Sequence, residues 1–554
     1  MKKAIVFLFI VTLAVMPLFA VGSSQSSGST SSKGVPEVPA SNLYGVKRIV
    51  NNPITIKIFA PKDPQTPPYD ELENFKKYSE YTGVNVIWEQ PTFNTQMERF
   101  NIILASQDLP DMFWNIDNRQ NVIVSLRAAN AIVPLQKYFN RNDAPLFRKV
   151  VDEHPETLKA FMEPNGDIWF LPFFDGLATN DPCIVRGDWL DKLGMPLPVT
   201  KDDWVNFWRA VRDHGRELNG KDTIIPLGTV STNSVNGFRS WVSLWGMLDT
   251  FYVDVKDGYK VKFANIEPKY KEFLEWAKML YDENLLDKEF ANTGSGASSF
   301  ATKNAQNLVA SWRGKLNGNF NSYLVTMGRD IPGYKLYGTE PPKASDGTQL
   351  HPGVANFVRY DTVGGVVTAA SKYPAECVKY CDWFYDPTPP YGGAFINLFG
   401  FEGITFDFTS PDKTTWKYSD WVMKNPDGLS ADQALLRYTN RGQQPAYNPP
   451  TSSFLRWEPL TFEAYNRVEP FYKASLEYKC ENLPFTDAEN REIRSKMADI
   501  TTYVDETINR FIMGREPLSN FDNYVATVKR MGIDDILKIY NDAYAKWNAP
   551  RPAF

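Results

Sequence analysis

Between Ile54 and Trp114 the chain alternates between two hydrophobic periods, and that alternation restricts the fold more than any other feature. Ile54 to Phe59 reads as a strand, Tyr69 to Tyr81 as a helix, Val84 to Trp88 as a strand, Thr95 to Ser106 as a helix and Met112 to Trp114 as a strand. The first helix sets Leu72, Phe75 and Tyr78 on one side and stops at Gly83, and the next strand alternates Val84, Val86 and Trp88. A βαβαβ pattern belongs to the α/β class. At 554 residues the chain exceeds one ordinary core, so two or more domains are expected.

The start of the chain is of another kind. Lys2 and Lys3 precede an apolar run from Ala4 to Phe19, with small residues at Ala20 and Gly22, so residues 1–22 read as a secretory signal peptide. The run falls short of the roughly 20 residues that span a bilayer, so no retained anchor is expected. The first cysteine is Cys183, so a lipoprotein anchor is not expected either, and a soluble periplasmic or otherwise exported protein is. Residues 23–45, Ser/Gly-rich from Ser23 to Gly34, read as a flexible tether ahead of an ordered start near Val46.

Charge and reactive residues narrow the function. The net charge is −5, or −7 without Lys2 and Lys3 (58 basic residues against 65 acidic), which gives no electrostatic reason for nucleic acid or anionic lipid as a partner. Four cysteines are too few for a disulfide scaffold, and Cys377 and Cys381 lack the second ligand pair of a zinc site. His154, His214 and His351 are far apart in sequence, which weighs against a His-dependent triad or metal centre. No cofactor or metal is expected.

Ile168 to Phe174 is an aromatic, apolar run; Asp175 to Pro182 is turn-rich; Cys183 to Val185 is a strand candidate; and a helix opens near Asp188. With its continuation Arg186-Gly187-Asp188-Trp189-Leu190-Asp191-Lys192-Leu193-Gly194, this stretch resembles the crossing between lobes in bacterial extracellular solute-binding proteins of family 1. Further phrases match in order: Thr82-Gly83, Leu109-Pro110-Asp111, Leu285 to Phe290 after the helix Lys269 to Glu283, Ser371 to Glu376 opening a helix, and Phe511-Ile512-Met513-Gly514 followed by Met531-Gly532. The resemblance implies a periplasmic binding-protein fold: two discontinuous α/β lobes with a hinge, an interlobe cleft and extra C-terminal helices. It places 46–175 plus about 345–395 in the first lobe and 176–344 plus about 396–554 in the second. It further implies a monomeric, non-enzymatic receptor that takes a sugar or oligosaccharide to the permease of an ABC transporter.

Local signals support the frame. Tyr252 to Phe263 reads as a hairpin around Asp257-Gly258, and Gly364-Gly365 as a turn opening a strand at Val366 to Ala370. Thr486 to Glu489 is a capping box with Phe485 placed to staple the helix it starts, and Ile500, Val504, Ile508 and Phe511 share a face that Gly514 ends.

Sugars present C–H faces that stack on flat rings and hydroxyls that seek polar partners, which selects the site candidates. Ligands of open α/β sheets sit beyond the carboxyl ends of strands, which singles out Trp114, with Asp117 and Arg119 in the following loop. The crossing contributes Trp169, Phe173, Phe174 and Asp175; alternation along a strand turns only part of that set toward one side. Arg186 ends a strand with a fork of donors, against the alternative that it pairs with a structural Asp. Trp312 and Arg313 end the strand after Leu308 to Ala310; Trp241 and Trp245 share a helical face; Arg456 and Trp457 sit in a Pro-flanked loop. Trp189, four residues from Leu193, reads as core.

Some oligosaccharide-binding relatives carry a calcium loop where this chain has Asp213 to Asp222, but the interposed Arg216 and Lys221 argue against a cation. The rival function is a secreted polysaccharide-degrading enzyme, which would share the export signal and aromatic cleft and needs an acid–base pair. No Gly-x-Ser-x-Gly elbow, His-Glu-x-x-His pair or phosphate loop is present. An adhesin would show repeats or long low-complexity tracts, and beyond Ser23 to Gly34 there are none.

Overall fold

A computed structural model describes residues 46–552 except 118, 178–180, 231–236, 293–296, 354–356, 360–361, 414, 428, 430, 442–443, 451–453, 455–456 and 481–482. The expected signal peptide and tether lie outside the described residues. The opening alternation forms in the expected order, β1 (Ile54–Phe59), α1 (Glu73–Thr82), β2 (Val84–Glu89), α2 (Gln96–Ser106) and β3 (Met112–Asp117), with α1 starting four residues later than expected and β3 running further. β1 is parallel to β2, with Ile54 opposite Val84, and to β3, with Ile58 opposite Met112.

The strand Thr362–Val367 adds antiparallel to the far side of β3, with Gly365 opposite Trp114. Gly364 and Gly365 therefore lie inside this strand and do not form the expected turn. The reason is close approach: Gly365 exchanges backbone hydrogen bonds with Leu171 at 2.6 and 2.8 Å, and a Cβ on Gly364 would stand 2.1 Å from the Leu171 carbonyl oxygen.

Helices cover the sheet. Gly83, at φ +77°, ends α1 and returns its N–H to Ser79, a left-handed cap that glycine adopts without a Cβ penalty. Phe75 and Tyr78 of α1 are buried, each contributing roughly 2 kcal/mol of apolar transfer. Tyr78 donates to the Tyr380 carbonyl at 2.7 Å and stacks on Trp383 at 4.3 Å, which ties α1 to the helix Pro374–Asp382.

The second lobe is built on a three-stranded antiparallel sheet with Cys183–Arg186 in the middle, Ser311–Arg313 on one side and Leu336–Thr339 on the other. Its core gathers Trp189, Trp204, Trp208, Trp241, Phe273 and Trp276 with Ile500, Val504, Ile508 and Phe511 of the helix Asp487–Ile512. The shared face expected for that helix is buried as a unit. Its capping box forms, the Thr486 hydroxyl accepting from the Glu489 N–H and the Glu489 carboxylate from the Thr486 N–H. Phe485 packs instead on Tyr540 of the closing helix Ile533–Asn548, at 4.9 Å, because the position a staple needs is occupied by polar Asn490.

The hairpin pairs Phe251–Asp254 with Lys260–Phe263, joined by five residues, 255–259, where a two-residue turn was expected; Gly258 and Tyr259 take positive φ within it. The stretch Asp213 to Asp222 contains a helical turn, Gly215–Asn219, and its acids have side-chain partners: Asp213 bonds Arg212, Glu217 meets the His214 imidazole and Asp222 meets Arg216.

The segment after 395 packs first on the first lobe: Asn397 accepts from Asn74 of α1 at 2.7 Å, and Pro445 lies over Gly365. Contact with the second lobe follows at Pro459–Val468, where Ala464 packs on Gly338 and Arg467 donates to the Gly338 carbonyl. Between the lobes Phe174–Asp175 pairs in parallel with Tyr447–Asn448, and the Asp175 N–H donates to the Phe357 carbonyl, so three chain segments run side by side there.

Candidate ligand-binding cleft

At the second-lobe end of those segments the middle strand begins at Cys183, whose register partner is Arg313. Strand alternation sends Ser311 and Arg313 to one face and Trp312 to the other. On the first face the Trp208 indole N–H donates to the Ser311 hydroxyl at 2.8 Å, and the Arg313 guanidinium sits 5.2 Å from the Trp241 ring. Arg313 is 2% exposed; its Nη2 donates to the Ser243 hydroxyl at 3.1 Å, and its Nε has no partner.

Two further buried polar groups share this end. Asp181, just before the strand, has Oδ1 unpartnered, and His351, whose backbone N–H donates to the Ser475 hydroxyl, has ring Nε2 unpartnered. Burial pushes the Asp181 carboxyl up to about 6, against the pull of Lys315, Lys479 and Arg313. Burial, then the charges of Arg313 and Lys479, holds the His351 imidazole down at about 3, so it is neutral at pH 7. Burial also lowers the guanidinium of Arg313 from its ordinary value. The chemistry available is one buried cation, one acceptor of variable protonation and one neutral imidazole.

The first lobe offers the carboxyl ends of its parallel strands. β3 runs to Asp117, three residues past the end expected from sequence, and Asn115 takes a positive φ of 48° there. Asp117 is exposed and exchanges two hydrogen bonds with the Gln96 side chain, at 2.7 and 3.1 Å. Trp114 is corrected: it is fully buried among Trp88, Tyr380 and Phe384, on the helix-covered face.

The crossing candidates separate. Phe174 is corrected to core, fully buried against Phe147, Phe161 and Tyr385. Phe173 is 8% exposed with Arg359 over its ring, and Asp175 is half-buried at the junction. Trp169 turns to the first lobe, where Arg127 lies 4.6 Å from its ring.

Arg186 is also corrected. It stands at the opposite end of the strand from Cys183, donates to both Asp188 oxygens at 2.9 and 2.8 Å, and is stacked by Trp189 and Tyr334. Trp312 is fully buried against Phe300 and Tyr323, and Trp241 is buried against Trp204 and Trp208, so both are core rings. Trp245 bonds Glu272 at 3.1 Å beside Trp276. Trp457, half-buried, donates to Asn317 and packs on Phe454 and Tyr465. Arg456 and the Arg119 side chain lie outside the described residues. Of the candidates, Arg313 alone joins the buried polar cluster, with Trp241 beneath it.

No family model matches the sequence. The chain is 26% identical over 293 residues to the fructooligosaccharide ABC transporter substrate-binding protein FusA of Streptococcus pneumoniae, covering 50% of this chain and 52% of that protein. It is 28% identical over 250 residues to the lipoprotein LipO of Bacillus subtilis, 43% of this chain and 46% of that one. These matches thus span about half the length of each relative. A solved HMO-binding ABC-transporter-associated solute-binding protein from Bifidobacterium longum infantis superposes with a TM-score of 0.73 at 15% identity, covering 90% of this chain and all of that one. The chain has the solute-binding-protein fold.

In this fold the Arg313 end of the second sheet, opposite Cys183, follows in sequence directly on the segment Phe174–Asp175, and Arg186 closes the other end of the same strand. Asp181 and His351 were missed because residues 181, 313 and 351 meet only through strand register and the lobe crossing. The available signal was local: Asp181-Pro182 lies immediately before a strand whose partner ends in an arginine.

Proposed function

We propose that this chain is an exported receptor that captures a sugar or oligosaccharide between its lobes and presents it to the permease subunits of an ABC transporter, without chemical change to the cargo. The observation that carries the reading is the set of unpartnered polar atoms on Asp181, Arg313 and His351, nine-tenths or more buried beside the interlobe segments. Buried polar groups are ordinarily hydrogen-bonded, so such a set is matched by a polar ligand. The named functions of FusA and the Bifidobacterium protein support a saccharide.

The three segments at Phe174–Asp175, residues 357–358 and Tyr447–Asn448 act as the hinge, and contacts made only in the closed form shift the population toward it. The N-terminal apolar run supplies the export signal. No helix among the described residues is long and apolar enough to cross a membrane. LipO carries the name of a lipoprotein.

The test is a thermal-shift screen of the chain without residues 1–22 against mono- and oligosaccharides, with product analysis of each hit, since ligand binding to the folded state raises its apparent stability. A shift with the saccharide recovered intact supports the receptor. Cleavage of the saccharide overturns it in favour of a degrading enzyme, and no shift with any saccharide removes the carbohydrate assignment.

A further inference from the structure

Among the described residues three guanidiniums are buried to 5% exposure or less, and two of them are neutralised in place. Arg186 holds Asp188 with two hydrogen bonds, and Arg239 holds Asp249 and Asp505. Arg313 is the third, and among the described residues no carboxylate comes within ion-pairing distance of it. Its polar contact is the neutral Ser243 hydroxyl, and its Nε is unpartnered.

A buried cation without a partner is costly, and the cost is relieved when an anion arrives. Asp181 acts on Arg313 as a charge and not as a contact. Lys315 and Lys479 add positive potential to the same end, where they act on Asp181.

Resting on the receptor reading above, we propose that the saccharide is acidic, and that a sugar carboxylate is held by the Arg313 guanidinium. A planar carboxylate matches the guanidinium fork, and the free Nε is one of the donors such a pair uses. Asp181 Oδ1 and His351 Nε2 take hydroxyl protons of the same or the adjacent ring, for which both atoms have acceptor capacity. A uronic acid unit supplies carboxylate and hydroxyls together. A sulfated sugar shares the negative charge but brings tetrahedral oxygens toward the Asp181 carboxylate as well.

The experiment is titration calorimetry of the chain without residues 1–22, using an oligogalacturonate, its fully methyl-esterified form, a neutral oligosaccharide of equal length and a sulfated one. The expected result is tightest binding of the uronate, weakened about tenfold or more by esterification, as loss of a charge-assisted contact implies. Arg313→Gln is expected to reduce uronate affinity by a similar factor and leave the ester unchanged. Should that variant not fold, the comparison of acid with ester on the unmutated chain decides alone. Equal affinity for acid, ester and neutral sugar overturns the carboxylate and leaves the receptor standing. Tightest binding of the sulfated sugar also overturns it, and binding of no saccharide at all overturns both readings.

Discussion

Gly353 lies directly on the side chain of Asp181: a Cβ at residue 353 would stand 2.2 Å from the Asp181 Cβ and 2.9 Å from its Oδ2. Two interlobe segments thus meet where only glycine fits on one side. Gly353→Ala is expected to lower stability by about 1–3 kcal/mol, the usual cost of overpacking, and to weaken ligand binding by displacing Asp181. Urea unfolding of Gly353→Ala, Asp181→Gly and the double variant checks this. The double variant should recover part of the loss, because the clash is chiefly with the Asp181 Cβ, and strict additivity would show that the contact does not govern the site.

Asp181 and His351 make opposite contributions to the pH dependence of stability. Burial raises the folded Asp181 carboxyl from 3.8 to about 6, so between about pH 4 and 6 the folded state holds a proton that the unfolded state has lost, and stability falls as pH rises. The folded His351 sits at about 3 against 6.5 when unfolded; between those values the unfolded state holds the extra proton, and stability rises with pH. Over about pH 4 to 6 the two slopes oppose each other, each up to about 1.4 kcal/mol per pH unit. Asp181→Asn should therefore become less stable on acidification from pH 6.5 to 4 relative to the unmutated chain, and His351→Gln more stable. Denaturant midpoints at four pH values would reveal it, and parallel profiles for all three proteins would mean that neither group is buried as placed.

The α/β class and the order of elements were legible because Leu72, Phe75, Tyr78 and Val84 carry their periods locally. The site was less so, for a reason of phase. In Ser311-Trp312-Arg313 the aromatic residue attracted the binding role, yet strand alternation puts Trp312 under Phe300 and leaves Arg313 on the polar face. A shift of one position exchanges core and site. Trp114 illustrates a second limit: Asn115 and Asp117 look like loop residues, but pairing with Thr362–Val367 carries the strand to Asp117 and buries the tryptophan within it. Nothing within a dozen residues of β3 encodes a partner some 250 positions away.

Thr486 offers a check on a feature that sequence and structure share. Its hydroxyl and the Glu489 carboxylate satisfy each other's backbone N–H at the start of a helix of 26 residues whose buried face joins the second-lobe core. Thr486→Ala is expected to cost about 1 kcal/mol, and Thr486→Ser to restore most of it. Thermal unfolding of the two variants measures the difference, which should be independent of any saccharide, because the cap lies outside the polar cluster. A ligand-dependent difference would tie this helix to the binding event.

The two strand arginines should respond to mutation in opposite ways. Arg186→Gln breaks a buried pair, leaves Asp188 without its charge partner and removes a guanidinium stacked between Trp189 and Tyr334, so it is expected to cost about 3 kcal/mol of stability. Since Arg186 stands at the far end of the strand from Cys183, saccharide affinity measured on the folded fraction should stay within about twofold of the unmutated chain. Arg313→Gln removes a charge that has no carboxylate partner among the described residues, so its effect on stability should be small or favourable and its effect on acidic ligands large. Unfolding midpoints and calorimetric affinities of both variants give four numbers. The assignment of one arginine to the fold and the other to the ligand fails if Arg186→Gln loses binding or if Arg313→Gln is the less stable protein.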